Sequence, residues 1–331
     1  MAYEEPFGRV AKTLRWTGGM KLKHLLEQWG PELGDAKVVP LQVGVWQVLS
    51  SAGMFILKRR SNRSRVWAEC DLINWLIRHE QPVSPLLYTT KEIPWAEHEG
   101  AFYVLYPYLQ GTPGDELGHY DEDFALRAGA ALAYLHRDLG NYETTEEFPN
   151  FDLFQEVASF AWPTVQGYLG QNFRNRLQDL EQGISRNLIN PYEVLPRQLI
   201  HRDFHPGNLI FQRGELVGIL DFDRVRVSIR LFDLCYLATS VLSQDFADPQ
   251  GRENWPNFVQ ALINGYGSVQ PLTKMEGVSF LYIVYLIQLL FIAYQLDEGN
   301  TDLADLNVAM LLWINDQHEF LEPLIVKTIA G

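Results

Sequence analysis

The sequence predicts an α+β fold of two lobes: a smaller lobe with an antiparallel β-sheet and a helix, and a larger, mainly helical lobe. With 331 residues, the chain is long enough for two hydrophobic cores. Alternating apolar patterns, typical of strands, are concentrated before residue 110, whereas helical patterns prevail from residue 121 onward. A turn-rich break at residues 110–114 separates the two regions. We therefore place the lobes at residues 1–110 and 111–331.

Composition and charge narrow the class of protein. Apolar residues make up 47% of the chain and charged residues 21%, as in ordinary globular proteins. The formal charge of −14 argues against a nucleic-acid partner, because phosphate binding needs clustered Lys and Arg. Cys70 and Cys235 lie in apolar helical patterns, and the first 16 residues contain no apolar segment of a signal peptide. We therefore expect free thiols and a cytoplasmic protein.

The smaller lobe begins with a predicted helix over residues 20–29. Residues 38–60 then alternate with a period of two, and the turn at residues 50–53 divides them into a β-hairpin. Ile56 and Lys58 share one face of the second strand.

A second helix is predicted over residues 64–79. Its apolar stripe consists of Val66, Cys70, Ile73 and Ile77. Glu69 lies beside this stripe, eleven residues after Lys58. A strand lysine followed by a helix glutamate is typical of an ion pair that holds the lysine against nucleotide phosphates. We therefore predict that Lys58 and Glu69 form an ion pair.

A further strand is predicted over residues 101–109, and residues 106–111 are the expected hinge between the lobes. A hinge at this point could offer its backbone to adenine, with the Pro107 carbonyl as acceptor and the Leu109 amide as donor. Pro107 itself has no N–H, so the donor must come from a later residue.

Helical patterns dominate the larger lobe. The predicted helices cover residues 121–139, 151–169, 173–188, 257–265 and 302–320. The first ends in His136-Arg137-Asp138, which matches the start of the H-R-D-x-x-x-x-N motif of phosphoryl-transfer sites, but the residue five positions after Asp138 is Glu143 and not Asn. Helix-dipole and C-cap preferences explain such an ending, so we reject this tripeptide as the catalytic motif. The uncharged stretch Val278–Leu296 contains several polar residues and lacks a basic flank, which predicts a buried helix and no membrane span.

The most specific pattern is the stretch of residues 199–223, LIHRDFHPGNLIFQRGELVGILDFD. His201, Asp203 and Asn208 have the spacing H-x-D-x-x-x-x-N, and Asp221 follows the next strand. In a phosphoryl-transfer site one carboxylate faces the acceptor hydroxyl, while an amide and a second carboxylate hold magnesium. Turn residues and strand-like runs stand where a loop and hairpin need them, which argues against a chance match.

On these residues the chain resembles the aminoglycoside phosphotransferase and choline kinase-like family, which has a protein-kinase-like fold. The sequence motif HRDFHPGNLIF…GILDFD most resembles the corresponding motifs of type II homoserine kinases and kinase-like spore-coat proteins. The resemblance implies ATP-dependent phosphorylation of a hydroxyl on a small molecule, with Mg²⁺. It implies that Asp203 is the catalytic aspartate and that Asn208 and Asp221 are magnesium ligands. It also implies that Lys58, paired with Glu69, binds phosphate.

The chain departs from the family in its glycine-rich loop. Only Gly44 lies near the expected turn between Leu41 and Gly53, and a G-x-G-x-x-G pattern is absent. The residues assigned to nucleotide binding are Lys58, Glu69, Ile56, Pro107, Leu109 and Gly44.

Several residues have competing interpretations. Asp203 could accept hydrogen bonds in a local Asx turn, but the matching Asn208 and Asp221 favour catalysis. His201 is expected to shape the loop, and His205 is a secondary candidate near the acceptor. Asp223 could contact a second metal or cap a turn.

Other polar and aromatic residues have structural interpretations. Asp233 is expected to act as a helix N-cap. The aromatic residues expected in the core and not in a ligand cage are Trp255, Tyr266, Tyr282, Tyr285 and Tyr294, although some could stack against a quaternary-amine acceptor.

The sequence therefore favours a small-molecule kinase with ATP and Mg²⁺ as cofactors, a hydroxyl compound as acceptor, and neither nucleic acid nor membrane as partner. The acceptor stays open among homoserine, an amino sugar, an amino alcohol such as choline, and a sugar. The alternative is a catalytically weak kinase-like binding or spore-coat assembly protein. A protein kinase is disfavoured because no D-F-G and A-P-E pair frames an activation loop.

Overall fold

The computed structural model describes residues 19–60, 62–117, 120–169 and 171–330. The chain divides into two compact units. The first contains the residues up to Thr112 together with Tyr142–Phe148 and Leu209–Asp223, and the second contains Pro113–Asn141, Pro149–Asn208 and Arg224–Gly331. The N-terminal segment that the sequence predicts to lack a signal peptide lies outside the described residues.

Most strands lie in the first unit and most helices in the second, which confirms the predicted α+β composition. In chain order, the helices and strands of the described residues are α1 (Gly19–Leu26), β1 (Lys37–Gln42), β2 (Val45–Ser50), β3 (Gly53–Arg60), α2 (Arg63–Arg78), β4 (Ala96–His98), β5 (Ala101–Pro107), β6 (Thr112–Pro113), α3 (Glu122–Gly140), α4 (Leu153–Glu156), α5 (Trp162–Tyr168), α6 (Gln171–Asn187), α7 (Ile189–Glu193), β7 (Arg197–Ile200), β8 (Leu209–Gln212), β9 (Glu215–Ile219), β10 (Arg226–Ile229), α8 (Leu231–Asp245), α9 (Pro249–Gly267), α10 (Lys274–Asp297), α11 (Thr301–Asp316) and α12 (His318–Ala330).

The sheet of the first unit is antiparallel, with the strand order β1-β2-β3-β5-β4. The predicted hairpin is confirmed, since β2 and β3 pair from Val45 opposite Lys58 to Ser50 opposite Gly53. The run before it, predicted as one strand with β2, is instead the separate strand β1. Gly44 makes the turn between them with a φ of +76°, a left-handed conformation in which most side chains are strained.

Helices α1 and α2 both belong to the first unit. The predicted helix over residues 20–29 is shorter than expected, because α1 is followed by a 3₁₀ turn at Glu27–Trp29. Helix α2 is capped by the Asn62 side chain, which accepts the Ser64 N–H at 2.9 Å. The stripe predicted for α2 is buried except at Ile77, which is 37% exposed.

The β8–β9 hairpin packs with the first unit, although the sequence-based boundary placed every residue beyond 110 in the second lobe. The Ile219 N–H donates to the Pro82 carbonyl at 2.6 Å. A side chain at Gly218 would meet Leu109 Cδ1 at 2.6 Å, so the backbone of β9 lies directly on the segment after β5. These contacts bring residues 209–223 to the unit that contains β3 and α2.

In the second unit, several helices differ from their predicted bounds. The predicted helix over residues 151–169 is α4 and α5 with a π-helical turn, Val157–Ala161, between them. Residues 302–320 form α11 and α12 and not one helix, and α9 extends well beyond the predicted residues 257–265.

Two glycines allow α3 and α9 to cross with their backbones in contact. A Cβ atom at Gly129 would lie 2.2 Å from the Leu262 carbonyl oxygen, and one at Gly265 would lie 2.1 Å from the Leu126 carbonyl oxygen. Any larger residue at either position would push the helices apart.

Helix α10 is apolar around its whole circumference. Within the described part of the chain it is the helix long and apolar enough to cross a membrane, with a mean hydropathy of 2.0, but 89% of its most apolar window is buried. It packs against α8, α11, α12 and the π-helical turn. This burial supports the predicted core helix.

Candidate active site

The catalytic loop is predicted over residues 199–208. In the structure Leu199 and Ile200 end β7, and residues 201–208 connect β7 to β8. Strand β7 pairs with β10, and the loop ends in a 3₁₀ turn, Pro206–Asn208. Arg202 has a φ of +64°, an uncommon conformation for a residue with a side chain. Such strained residues persist only where surrounding contacts hold them, and they occur often at functional sites.

The contact that holds this backbone comes from Asp233 on α8. Its carboxylate is fully buried and accepts the His201 N–H at 2.8 Å and the Arg202 N–H at 2.7 Å. The predicted N-cap role of Asp233 is therefore wrong, because α8 begins earlier, at Leu231, and Asp233 lies inside its first turn. Asp233 instead fixes the loop through its two charge-assisted hydrogen bonds.

His136, the first residue of the rejected tripeptide, supports Asp233. Its Nε2 lies 3.0 Å from Asp233 Oδ2, and its Nδ1 lies 2.9 Å from the Tyr266 hydroxyl. Helix α3 continues to Gly140, so His136 lies inside the helix and is fully buried. The expected C-cap explanation is thus wrong for this histidine, which positions the loop through Asp233.

Asp203 and Asn208 lie together in the second unit. Asn208 Nδ2 donates to the Asp203 carbonyl oxygen at 2.9 Å and to Asp203 Oδ2 at 3.3 Å. The Tyr236 hydroxyl donates to Asp203 Oδ1 at 3.3 Å. Burial, together with the charge of Asp203, raises the pKa of Tyr236 well above its usual value, so its hydroxyl remains a donor at neutral pH. Asp203 is therefore held by side chains, and no Asx turn is needed to explain it.

The two loop histidines have different surroundings. His201 is fully buried, and its Nδ1 accepts the Asp203 N–H at 3.3 Å. His205 is partly exposed; its Nδ1 accepts the Gly207 N–H at 3.2 Å, and its Nε2 lies 3.9 Å from Asp203 Oδ1. His201 thus shapes the loop, whereas His205 stands beside the carboxylate.

The C-terminal part of the loop is braced by the segment after β6. A Cβ atom at Gly114 would lie 2.7 Å from the Pro206 carbonyl oxygen, and one at Gly207 would lie 2.7 Å from Asp115 Oδ2. The backbone of Gly114 therefore packs directly on the backbone of Pro206, whereas the nearest neighbours of Gly207 are side-chain atoms of Asp115 and His205.

In the first unit, the predicted Lys58–Glu69 ion pair is wrong. Lys58 Nζ donates to Asp221 Oδ1 at 2.8 Å. Glu69 binds the Arg60 guanidinium, with 2.7 Å from Nε to Oε2 and 2.7 Å from Nη2 to Oε1. Positions 58 and 60 lie on the same face of β3, and the longer, forked side chain of Arg60 binds Glu69 in place of Lys58.

Asp223 also contacts Arg60, through Nη2 and Oδ1. It lies in a 3₁₀ turn, Phe222–Arg224, and its carbonyl oxygen accepts Arg65 Nη2 at 3.0 Å. Asp221, two residues earlier, has a φ of +66°. The segment of residues 221–223 is therefore a second strained backbone held by ionic contacts.

The charges of this segment alter its titration. Burial acts to raise the pKa of Asp221, but the Lys58 ammonium outweighs it and lowers the pKa, which keeps this carboxylate ionised. For Lys58, burial acts to lower the pKa, and the Asp223 and Asp221 carboxylates more than offset it. Burial raises the pKa of Asp223 to about 7, because Arg60 and Lys58 offset only part of the cost.

The remaining residues that the sequence predicts to bind a nucleotide also lie in the first unit. Ile56 and Lys58 are on the same face of β3, and the Gly44 carbonyl accepts the Arg59 N–H of that strand at 2.7 Å. The Pro107 carbonyl accepts the Ser84 hydroxyl at 3.2 Å. Among the described residues, the Leu109 amide has no hydrogen-bond partner, so it is available as a donor.

The donor chemistry fits a hard divalent cation. Mg²⁺ prefers carboxylate and amide oxygens. Asp221 is held as a carboxylate, and Asn208 uses its nitrogen for Asp203, which leaves its carbonyl oxygen available. No group of three or more His, Cys, Asp or Glu with metal-site geometry occurs within the ranges that the structure covers. Taken separately, Asn208 and Asp221 each offer an oxygen of the kind that Mg²⁺ prefers.

Sequence reasoning missed four residues that hold these groups: Arg60, His136, Tyr236 and Asp233. Arg60 was open to prediction, because it shares the face of Lys58. The other three act across many positions of the chain, and no local signal marks them.

Comparison with models of protein families gives a match over most of the chain. The model of a phosphotransferase enzyme family, APH, matches residues 44–279, more than half of the chain. A homoserine kinase from Gluconobacter oxydans (strain 621H) is 28% identical over 170 residues, which cover 50% of this chain and 50% of that protein. A homoserine kinase from Zymomonas mobilis is 23% identical over 161 residues, 47% of each chain. The chain thus matches about half the length of these curated relatives.

Solved structures show the same fold at lower identity. An amicoumacin kinase, hAmiN, in complex with AMP-PNP and Ca²⁺, aligns with a TM-score of 0.66 and 19% identity over 93% of this chain and 94% of that one. A microcompartment-associated aminopropanol kinase aligns with a TM-score of 0.68 and 16% identity over 90% of this chain and 97% of that one. The protein-kinase-like fold predicted from the sequence is confirmed.

Proposed function

The chain belongs to the APH phosphotransferase enzyme family, and on this basis we propose that it transfers the terminal phosphoryl group of ATP to a hydroxyl group of a small molecule, with Mg²⁺. The observation that carries the proposal is the Asp203 carboxylate, which is held by Tyr236 and Asn208 on a backbone fixed by Asp233. Such rigid placement is what a general base needs.

In the proposed reaction, Asp203 accepts a hydrogen bond from the acceptor hydroxyl. It takes the proton as the acceptor oxygen bonds to the γ-phosphorus and the bond from that phosphorus to the bridging oxygen of ADP breaks. Tyr236 and Asn208 keep the carboxylate in place. The rate then comes from positioning and charge stabilisation, without a covalent enzyme intermediate.

We assign phosphate binding to Lys58 and metal binding to Asn208 and Asp221. When bound, Mg²⁺ neutralises the charge of the triphosphate. The Lys58–Asp221 contact supports this assignment, because it places the lysine ammonium 2.8 Å from the proposed metal-binding carboxylate. Gly44, Ile56, Pro107 and the free amide of Leu109 are proposed to receive the rest of the nucleotide.

For the acceptor we propose a small alcohol that carries an amino group. Homoserine and aminopropanol, the compounds in the names of the matched homoserine kinases and of the aminopropanol kinase, both have this form. We also propose a cytoplasmic location, because Cys70 and Cys235 are buried as free thiols, an arrangement suited to a reducing compartment.

A screen of amino alcohols, homoserine and amino sugars for ADP release tests the proposal. With an active acceptor, Asp203→Asn is expected to lower kcat by about 10³-fold while binding of Mg-ATP persists. Asp302→Asn, which changes an exposed aspartate of α11, serves as the matched control. Nucleotide binding without turnover on any acceptor would favour the alternative of a kinase-like binding protein, and unchanged kcat in Asp203→Asn would remove Asp203 from its role.

A further inference from the structure

One arginine joins helix α2 to the segment that follows β9. Arg60 presents Nε and Nη2 to the two carboxylate oxygens of Glu69, and the same Nη2 contacts Asp223 Oδ1. We call this set of three residues the Arg60 bridge. It places a single guanidinium between a helix and a strained loop, both within the first unit.

Glu69 is satisfied without Lys58. Its Oε1 accepts both Arg60 Nη2 and the Tyr106 hydroxyl, the latter at 2.8 Å, and its Oε2 accepts Arg60 Nε. The Glu69 and Arg60 side chains are 8% and 11% exposed. Burial acts to raise the pKa of Glu69, but Arg60 outweighs it and lowers the pKa, so the pair is ionic. Removing Arg60 would leave a buried, uncompensated carboxylate.

Two ion pairs of matching spacing hold residues 221–223. Lys58 and Arg60 are two residues apart on one face of β3, and their partners Asp221 and Asp223 are also two residues apart. Two-point attachment fixes the position of a segment along a strand and its rotation, which one pair cannot do. It accounts for the left-handed backbone of Asp221, because surrounding contacts must hold that conformation.

We propose that Arg60 is a positioning residue for the proposed metal site: the Arg60 bridge, and not a Lys58–Glu69 pair, couples α2 to the conformation of residues 221–223 and so sets how well Asp221 receives Mg²⁺. This inference rests on the proposed function for its metal, but the bridge itself does not. Lys58 is released from Glu69 and remains with Asp221, where it can exchange that partner for phosphate.

The first experiment measures the bridge without metal or nucleotide. Urea unfolding of Arg60→Gln, Glu69→Gln and the double variant gives one double-mutant cycle, and Lys58→Gln with Glu69→Gln gives a second. In the first cycle we expect strong coupling, so that the urea midpoint of the double variant lies close to that of the less stable single variant. In the second cycle we expect the effects on stability to be nearly additive. Additivity between Arg60 and Glu69, or stronger coupling between Lys58 and Glu69, would overturn the proposal.

The second experiment measures the effect on the metal. Mg²⁺ is titrated at a fixed concentration of ATP, and a thermal-shift assay measures nucleotide binding at each Mg²⁺ concentration. Loss of a partner that orients a metal ligand typically lowers metal affinity by about 10–100-fold. We expect Arg60→Gln to raise the half-saturating Mg²⁺ concentration within this range and Arg60→Lys to recover part of the loss. ATP binding in EDTA should be little changed.

Arg59→Gln is the matched control, since it removes one positive charge from the exposed neighbouring position of the same strand. An equal change in Arg59→Gln would indicate a general charge effect and refute the positioning role. If wild-type protein binds no Mg-ATP at all, the proposed function fails, while the unfolding cycles still decide on the bridge.

Discussion

Replacing Asp233 with asparagine should loosen the proposed catalytic loop, although Asp233 itself has no proposed contact with a substrate. Asp233 accepts two backbone N–H groups at 2.8 and 2.7 Å and lies 3.0 Å from His136 Nε2. Asparagine keeps the shape but has one acceptor oxygen, so at least one buried N–H then faces an amide NH₂. A hydrogen bond to a charged group contributes about 1.5–3 kcal/mol, and an unpaired buried donor costs about 1–3 kcal/mol. We therefore expect the free energy of unfolding to fall by about 2–4 kcal/mol.

The functional effect of Asp233→Asn should appear in kcat. The freed loop no longer holds Asp203 in one geometry, and misplacement by about 1 Å can lower a rate by about 10²-fold. The binding of Mg-ATP that we propose for Lys58 and Asp221 should stay close to wild type. Urea unfolding and steady-state ADP release measure the two effects.

Asp245→Asn, at the exposed end of the same helix, is the control and should match wild type in both assays. The reasoning would be refuted by a loss of stability below about 0.5 kcal/mol, the range of ordinary surface substitutions, or by a loss of nucleotide affinity as large as the loss of kcat. If Asp233→Asn does not fold, His136→Asn tests the same support, because it removes the third contact of Asp233 together with the His136–Tyr266 contact and leaves both backbone hydrogen bonds of Asp233 in place.

Three further substitutions test the site and the scaffold. Asp221→Asn, which tolerates the left-handed backbone, should raise the Mg²⁺ concentration needed for half-maximal nucleotide binding by at least about tenfold; an unchanged Mg²⁺ titration would contradict the metal assignment. Tyr236→Phe removes the donor to Asp203 Oδ1 and should lower kcat by about tenfold, with little change in the acceptor KM; wild-type kcat would leave Tyr236 with a packing role only. Gly129→Ala puts a methyl group 2.2 Å from the Leu262 carbonyl oxygen and should cost about 1–3 kcal/mol in urea unfolding. Gly183→Ala is the control, because a Cβ atom at Gly183 would meet nothing within 4 Å, and it should not lower the free energy of unfolding.

The parts of the site that the sequence predicts are those that act over short stretches of chain. Asp203 and Asn208 are five positions apart, so a single loop brings them together. The hairpin of β2 and β3 follows from its alternation and its turn, and the apolar stripe of α2 from its period. In each case the residues that define the feature also make its contacts.

The parts that failed depend on a choice between distant partners. Lys58 and Arg60 offer two cations on one face of β3, and Glu69 and Asp221 compete for them. Only the folded structure decides that the forked guanidinium takes the glutamate. Asp233 looked like a helix cap because its local surroundings fit one. Its real partners, the N–H groups of His201 and Arg202, lie about thirty positions earlier in the chain.

The covered surface of α10 limits how the chain can be shortened. A chain that ended at residue 300 would lack α11 and α12, which pack on α10, and would present a broad apolar strip to water. Strips of this kind drive aggregation or uptake into detergent micelles. In cell fractionation such a fragment would partition like a membrane anchor. In the whole chain the same helix is buried in the core, where α11 and α12 cover it.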